Sequence, residues 1–293
     1  MAPRIRKVVF PVAGLGTRFL PASKVIAKEM LPIVDRPLIQ FAVEEAVEAG
    51  ADTLVFVINR NKRQIADHFD TAFELESKLL AQGKHELLAA ARDVLPKGVS
   101  AVYVTQQEAL GLGHAVLCAR PVIGDEAFGI ILPDDFIYSP GNGALKQMAD
   151  LHQSSGLGVI AVENVDPAHT DRYGIVSAQS ISERVASIQG IVEKPKPDVA
   201  PSTLAVVGRY ILHSRIFALL EQVKPGAGGE IQLTDGIAAL LAEQGVSAYR
   251  FIGTRYDCGT KLGFVQATLA LALADPQLRA QVASSMRALL DAS

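Results

Sequence analysis

The sequence predicts an α/β fold, an open and mainly parallel sheet flanked by helices, with added antiparallel strands and C-terminal helices. Two observations lead to this prediction. Short, β-branched and nearly continuously apolar segments alternate with segments of helical spacing in the first half of the chain. From about residue 155 onwards, strand-like segments joined by turns become more frequent than helices.

The first half supplies the parallel part of the predicted sheet. A helix is expected at residues 37–50, because apolar residues recur at helical spacing between Pro37 and Gly50. Residues 62–95 and 113–120 also have a helical pattern. The expected strands, each covered on both faces, are 5–12, 53–59, 99–106 and 127–133.

The second half extends the sheet and ends in helices. Strands are expected at 158–165, 173–179, 185–195, 203–212 and 246–253, and helices at 214–223, 231–244, 260–274 and 276–292. Without a repeat or linker, residues 1–293 are expected to form one domain, with halves 1–155 and 156–259 and C-terminal helices 260–293. The apolar positions of the last helix fit a core or a subunit interface equally well: Leu278, Val282, Met286 and Leu289.

Composition narrows the class of protein. With 293 residues, 49% hydrophobic and 20% charged, the chain is long enough to bury a large core. A net charge of −3 argues against a nucleic-acid scaffold, although residues 1–36 are locally basic. Cys118 and Cys258 match neither a metal motif nor a disulfide framework, so a reduced, cytoplasmic protein is expected. The N-terminal segment fits a signal peptide poorly, and no apolar run reaches membrane-helix length.

Residues 8–35, VVFPVAGLGTRFLPASKVIAKEMLPIVD, place a glycine turn after the first strand. A dinucleotide fingerprint would need a third glycine where Phe19 stands, and its helix would not contain Pro21. A Walker A loop would need Gly-Lys-Ser/Thr, which is missing. The turn still lies where parallel sheets bind ligands, although a plain tight turn remains an alternative at this point.

The complete string resembles the signature GxGTRxxPxxxxxxKxM/LxP of the sugar nucleotidyltransferases, in particular the bacterial enzymes that use UTP and glucose 1-phosphate. The resemblance continues in family order at 111–119, 132–135, 173–176, 192–202, 207–212, 229–235 and 256–264. It implies a Rossmann-like, GT-A-like fold with a nucleotide-binding half (1–155) and a sugar-binding half (156–259). It also implies Mg²⁺-assisted uridylyl transfer from UTP to glucose 1-phosphate, and a homodimer or homotetramer with no nucleic-acid or membrane partner.

The same resemblance implies roles for individual residues. Arg18, Lys28 and Lys194 are the expected catalytic cations, with Lys24 as a possible assistant. Glu29 corresponds to an acid near the nucleoside but could equally pair with Lys28 or a neighbour. Gln106 is expected to read the uracil edge, because an amide both donates and accepts. The expected nucleotide-binding set is Ala13, Gly14, Gly16, Thr17, Glu29, Gln106, Gly111 and Asp135.

On the sugar side, the resemblance assigns Gly174, Glu193 and Lys194 to the sugar phosphate. Neighbouring strand residues point to opposite faces, so Glu193 and Lys194 share one side only if the turn before Pro195 brings both inward. Glu230 and Asp235 belong to this half, but Glu230 could simply cap a helix. His114 is expected to be a capping or packing residue.

Two distant carboxylates, Asp134 and Asp257, are the expected Mg²⁺ ligands. Asp135 is a weaker candidate for the metal, and a plain turn is the alternative for this Asp pair. One departure from the family is Ala27, where a proline usually precedes the Lys-Glu pair, so a more mobile loop is expected without nucleotide.

Three other functions stay open at this point. A glucose-1-phosphate thymidylyltransferase would share the first motif but not GLGHAV or PGAGGEIQLTD. A non-catalytic sugar-nucleotide-binding regulatory module would be expected to lose Arg18, Lys28, Lys194 or Asp134, all of which are present. A glycosyltransferase that consumes a UDP-sugar would favour Asp-x-Asp over the adjacent acids found here.

Overall fold

The computed structural model describes residues 2–226 and 229–292. Met1, Ser293 and residues 227–228 of the PGAGGEIQLTD motif lie outside the described residues. The strands are β1 Lys7–Pro11, β2 Pro32–Ile33, β3 Arg36–Pro37, β4 Thr53–Ile58, β5 Ser100–Thr105, β6 Phe128–Ile131, β7 Asp135–Tyr138, β8 Gly158–Asn164, β9 Gly174–Ser180, β10 Val185–Glu193, β11 Leu204–Leu212, β12 Val246–Tyr249 and β13 Thr254–Asp257. The helices are α1 Leu38–Glu48, α2 Arg63–Phe69, α3 Phe73–Ala81, α4 His85–Arg92, α5 Leu112–Cys118, α6 Arg120–Ile123, α7 Ala144–Ser155, α8 Arg215–Leu220, α9 Leu233–Leu241, α10 Lys261–Ala274 and α11 Arg279–Asp291.

A nine-stranded sheet in the order β5-β4-β1-β6-β11-β8-β12-β10-β9 forms the centre of the fold. Strands β5, β4, β1 and β6 are parallel, as predicted for the first half. Strand β11 joins this block to β8 by antiparallel pairing on both sides, and β9 and β10 add an antiparallel edge. The predicted combination of a parallel sheet with antiparallel additions is therefore confirmed, although the second half contributes more antiparallel pairing than a mainly parallel sheet implies.

The alternation of side chains along the strands produces a core on each face of the sheet. In β1, Val9 belongs to one buried cluster, and Val8 and Phe10 belong to the other. Such double coverage explains why this strand reads as a continuous apolar run. The prediction that each first-half strand is covered on both faces is wrong for β5, whose residues are half-buried or exposed because this strand lies at the edge of the sheet.

A separate two-stranded ribbon of β7 and β13 lies after the end of β6. Its antiparallel register places Asp135 opposite Asp257. Residues that are 122 positions apart in the chain are thereby fixed opposite each other by backbone pairing. This ribbon brings the predicted metal ligands to one place.

The last helix is not part of the core. None of the residues of α11, all of which the structure describes, is buried, and Leu289 is 73% exposed. The structure therefore does not support the core alternative for this helix, and the subunit interface stays a prediction. None of the helices in the described ranges has both the length and the apolar character needed to cross a membrane.

Candidate active site

A cleft of about 670 Å³ opens between the two halves of the chain, beyond the carboxyl end of β6. Side chains of both charges line it, together with the aromatic ring of Tyr210. Seven of the predicted site residues line this one cleft: Arg18, Asp134, Asp135, Gly174, Glu193, Lys194 and Asp257. The residues that the sequence assigned to metal, sugar and phosphate are therefore brought together.

The N-terminal loop folds back on itself beside this cleft. Gly16 has a positive φ of 66°, and a side chain there would lie 3.3 Å from Lys28 Cβ. Ser23 Oγ donates a hydrogen bond of 2.7 Å to Gly16 O, which closes the loop. Glycine is needed at Gly16 both for the left-handed backbone and for this close approach. Ala27 is buried against the core with φ −57°, and Thr17 begins a short 3₁₀ turn that contains Arg18.

Lys28 extends from this loop to the metal-ligand candidate Asp134, with 2.5 Å between Nζ and Oδ2. Burial acts to raise the pKa of Asp134, but the ammonium of Lys28 outweighs burial and holds that pKa below its usual value. Burial acts to lower the pKa of the Lys28 ammonium, but the carboxylates of Asp134 and Glu29 outweigh burial and raise that pKa. Both groups therefore stay ionised, and the pair balances its own charge.

Three charged groups converge on Gly259, in the turn that follows β13. A Cβ atom built on Gly259 would lie 2.9 Å from Asp257 Oδ1, 3.2 Å from Asp134 Oδ2 and 3.2 Å from Arg18 NH1. A side chain would fill the space that these groups surround, so the glycine keeps it open. Within the described residues no cluster of three or more His, Cys, Asp or Glu side chains could hold a metal ion. Two carboxylates facing one space fit Mg²⁺, which takes its remaining ligands from phosphates and water.

The second acid of the pair, Asp135, is held by the protein itself. Arg255 donates to Asp135 Oδ1 from Nε at 2.6 Å, and the amide of Gly208 donates to Oδ2 at 2.8 Å. Arg255 also donates to Glu163 at 2.6 Å, so one largely buried guanidinium joins two carboxylates. Sequence reasoning missed Arg255, although its position two residues before Asp257 on a short strand was a signal that it faces the same side. The assignment of Asp135 to the nucleotide stays a prediction.

Glu29 forms a buried ion pair, and the sequence analysis had left its partner open. Its Oε2 lies 2.6 Å from Lys62 Nζ, and both side chains are almost fully buried. Lys28 Nζ is 4.0 Å from the other oxygen of Glu29. The partner in direct contact is thus Lys62, which was not among the candidates because it lies in a segment with a helical surface pattern.

At the end of the cleft where the sugar phosphate is predicted to bind, the backbone explains how Glu193 and Lys194 come to lie on the same side. Lys194 has a left-handed backbone with φ 45°, which breaks the strand alternation directly after β10. Lys194 Nζ consequently lies 3.1 Å from Glu193 Oε1, and both residues line the cleft. Thr234 Oγ1 donates to the other oxygen, Glu193 Oε2, at 2.9 Å, and a side chain on Gly174 would collide with Thr234 at 2.8 Å. Thr234 is a further residue that the sequence did not single out.

Glu230 does not cap helix α9. It accepts a hydrogen bond of 3.1 Å from Gln232, the N-terminal flanking residue of α9, which itself makes no side-chain cap. Asp235 lies in the first turn of α9, and burial together with the nearby Glu193 raises its pKa.

The predicted base-reading residues lie at the carboxyl edge of the parallel strands. Gln106 follows β5 and is buried, and its Nε2 lies 3.2 Å from Gly111 O and 3.0 Å from His114 Nδ1. Ala13 follows β1, and Asn59 donates to its carbonyl oxygen at 2.5 Å, whereas Gly14 has open space beside its Cα. Gly111 has φ 94°, and a side chain there would lie 2.8 Å from Glu230 Cβ. The glycine at 111 is thus required by packing, a reason other than the predicted closure on the base.

Comparison with known proteins identifies the family. Residues 7–273 match the nucleotidyl transferase family. The chain is 46% identical over 288 residues to the UTP–glucose-1-phosphate uridylyltransferase of Bacillus subtilis strain 168, covering 98% of each chain. The chain belongs to the nucleotidyl transferase family. The resemblance inferred from the motifs is therefore confirmed.

Two solved structures agree with this assignment. A UTP-bound UGPase from Acinetobacter baumannii superposes with a TM-score of 0.89 at 44% identity, covering 96% of this chain and 98% of that one. A UDP-glucose pyrophosphorylase complexed with UDP-glucose gives a TM-score of 0.85 at 43% identity, covering 92% and 100%. The predicted nucleotidyltransferase fold is confirmed.

Proposed function

We propose that this enzyme transfers the uridylyl group of UTP to α-D-glucose 1-phosphate and releases pyrophosphate. The observation that carries the proposal is the single cleft in which Arg18, Asp134 and Asp257 meet at one end and Glu193 and Lys194 at the other. A uridylyltransferase of Bacillus subtilis and a UTP-bound structure are among its relatives. UTP and glucose 1-phosphate are therefore the proposed substrates.

The reaction exchanges one phosphorus–oxygen bond for another. A phosphate oxygen of glucose 1-phosphate attacks the α-phosphorus of UTP in line, and the bond from that phosphorus to the bridging oxygen of the β-phosphate breaks. Pyrophosphate leaves with the electron pair of that bond, and UDP-glucose forms. The protein has little covalent work in such a transfer, so its contribution is alignment and charge stabilisation.

The cations of the cleft provide that stabilisation. Arg18 and Lys28 would hold the triphosphate, and a guanidinium can bind two phosphate oxygens at once. Lys194 would hold the phosphate of the sugar, and Glu193 would accept hydrogen bonds from sugar hydroxyls. The ion pair of Lys28 with Asp134 keeps this end of the cleft balanced in charge before the nucleotide arrives.

Asp134 and Asp257 are the residues that would hold Mg²⁺. When bound, the ion would neutralise charge on the phosphates and help to orient them. The space kept open by Gly259 between the two carboxylates supports this assignment. Replacing Asp134 and Asp257 together by Ala is expected to abolish turnover with the fold intact, and retained turnover in a folded variant would remove the assignment.

The direct test is pyrophosphate release from UTP with Mg²⁺ and a panel of sugar 1-phosphates, with dTTP at equal concentration as the competing nucleotide. We expect glucose 1-phosphate and UTP to give the highest kcat/KM. Absence of pyrophosphate from glucose 1-phosphate and UTP would refute the proposed function. A higher kcat/KM with dTTP would instead identify a thymidylyltransferase.

Two broader features belong to the same proposal. Both cysteines are free thiols, and with the proposed nucleotide substrate this supports a cytoplasmic enzyme. The apolar, exposed side chains on α11, including Leu289, support a homodimer or homotetramer in which this helix is covered by a second copy. Light scattering of the purified protein gives the oligomeric state directly.

A further inference from the structure

The amide group of Gln106 has a defined orientation in the structure. Its nitrogen lies 3.2 Å from the carbonyl oxygen of Gly111. Because a carbonyl oxygen only accepts hydrogen bonds, the amide atom facing it must be the nitrogen and not the oxygen. The second contact of the same nitrogen, at 3.0 Å, is with His114 Nδ1.

Both amide hydrogens of Gln106 are therefore used within the protein. For His114 Nδ1 to accept the second one, the imidazole must be neutral with its proton on Nε2. The thiol of Cys118 lies 4.0 Å from the same Nδ1, a longer contact, and burial raises the pKa of that thiol. Nδ1 has one lone pair, and the shorter contact with Gln106 uses it.

The oxygen of the Gln106 amide remains available. Within residues 2–226 and 229–292, no protein group donates a hydrogen bond to this oxygen. It is also not among the solvent-inaccessible side-chain atoms that lack a hydrogen-bond partner in these ranges, which are Gln64 Oε1, His152 Nε2 and Gln244 Nε2. The amide oxygen is thus an acceptor that a ligand can reach.

The position of Gln106 fits recognition of a base. Its backbone N–H continues the β5–β4 ladder by donating to Ile58 O at 2.8 Å, and Val12 continues the β1–β4 ladder by donating to Val57 O at 2.9 Å. Gln106 and Ala13 therefore flank β4 at the same edge of the sheet, two strand spacings or roughly 10 Å apart. A pyrimidine ring with a hydrogen bond at each side spans such a gap.

We propose that His114 is a positioning residue that holds the Gln106 amide with its oxygen toward the base and so determines the choice of UTP over CTP. Uracil carries a donor at N3, which an amide oxygen accepts, whereas N3 of cytosine is itself an acceptor and would face that oxygen unfavourably. Gln106 then reads the base as an acceptor only, which corrects the sequence-based expectation of an amide that both donates to and accepts from the base, because its nitrogen is engaged by Gly111 O and His114 Nδ1. The inference rests on the proposed function, since Gln106 meets a base only if UTP binds there.

Two substitutions of nearly equal shape separate positioning from packing. In His114→Asn, the side-chain oxygen can take the place of Nδ1 and still accept from Gln106. In His114→Leu, a methyl group stands there and no acceptor remains. The measurement is calorimetric titration of each folded variant with UTP, CTP and dTTP in the presence of Mg²⁺, without sugar phosphate.

We expect the parent protein to prefer UTP. His114→Leu should lower the ratio of the CTP to the UTP dissociation constant at least about tenfold, because one buried amide hydrogen loses its acceptor and the 3.2 Å contact with Gly111 O then holds the amide orientation alone. His114→Asn should keep the ratio within about threefold of the parent, since its oxygen replaces that acceptor. The ratio of dTTP to UTP should stay unchanged in both variants, because thymine also has an N3 donor.

The proposal is overturned if the parent binds UTP and CTP equally, if His114→Leu keeps the parent ratio, or if His114→Asn loses it to the same extent. It is also overturned if the dTTP ratio changes as much as the CTP ratio, which would indicate general damage to the pocket. Failure of the proposed function is a separate result, namely no pyrophosphate from the parent with UTP and glucose 1-phosphate, whereas the binding ratios do not depend on turnover.

Discussion

Replacing Arg255 by Met removes a guanidinium that compensates two carboxylates. The side chains of Arg255, Asp135 and Glu163 are 8%, 13% and 29% exposed, so little water can replace the lost charge. Breaking a buried ion pair from one side costs about 3–5 kcal/mol because the partner is left as an uncompensated charge. Since water reaches Glu163 in part, we expect about 3 kcal/mol, or a decrease in Tm of roughly 6–12 °C for a domain of this size.

The assay is thermal unfolding followed by calorimetry, with Arg63→Met as the matched control. Arg63 also forms an ion pair, with Asp67 at 3.6 Å, but its side chain is 87% exposed. Surface pairs of this kind contribute about 0.5 kcal/mol or less, so the control should keep the Tm of the parent. A decrease for Arg255→Met no larger than that for Arg63→Met would refute the reasoning.

Three further predictions concern the sugar end, pH and the N-terminal loop. Thr234→Val removes the donor to Glu193 and should raise the KM for glucose 1-phosphate about tenfold with the KM for UTP unchanged, whereas Thr234→Ser should restore it; equal KM values in steady-state kinetics would contradict this role. Burial lowers the pKa of His152, so the unfolded state binds a proton more readily than the folded state. The free energy of unfolding should therefore decrease as the pH falls from about 6.5, the ordinary pKa of histidine, toward the lowered pKa of the folded state. In His152→Asn, whose amide can still donate to Leu157 O, Tm should fall less between about pH 7 and about pH 5, and an identical change of Tm with pH in both proteins would count against the assignment. Ala27→Pro should raise the free energy of unfolding by about 0.4–1 kcal/mol, because φ of −57° already suits proline, and a lower Tm would show that the buried site cannot hold the ring.

The features that sequence analysis predicted correctly depend on residues close together in the chain. The apolar run of β1 and the helical spacing between Pro37 and Gly50 both report local conformation, and the structure has a strand and a helix there. The motifs around Glu193 and Asp257 placed chemistry at the ends of strands, which brings them to one cleft.

The features that were missed depend on contacts between distant residues. Arg255 meets Asp135 across 120 positions, and Lys62 meets Glu29 across 33. A cation in a polar segment looks the same in the sequence whether it is solvated or paired inside the protein. Likewise, the apolar pattern of β5 does not show whether a further strand lies beside it, and so its position at the edge could not be predicted.

The left-handed backbone of Lys194 has a consequence for protein engineering. A residue with a Cβ is strained at φ 45° by roughly 1 kcal/mol, and glycine would relieve most of that strain. A design procedure that optimises thermal stability alone would therefore choose Lys194→Gly and remove the cation of the sugar end. At Lys194, relief of backbone strain and the proposed contact with the sugar phosphate are therefore opposed, because Lys194→Gly removes the strain and the ammonium together.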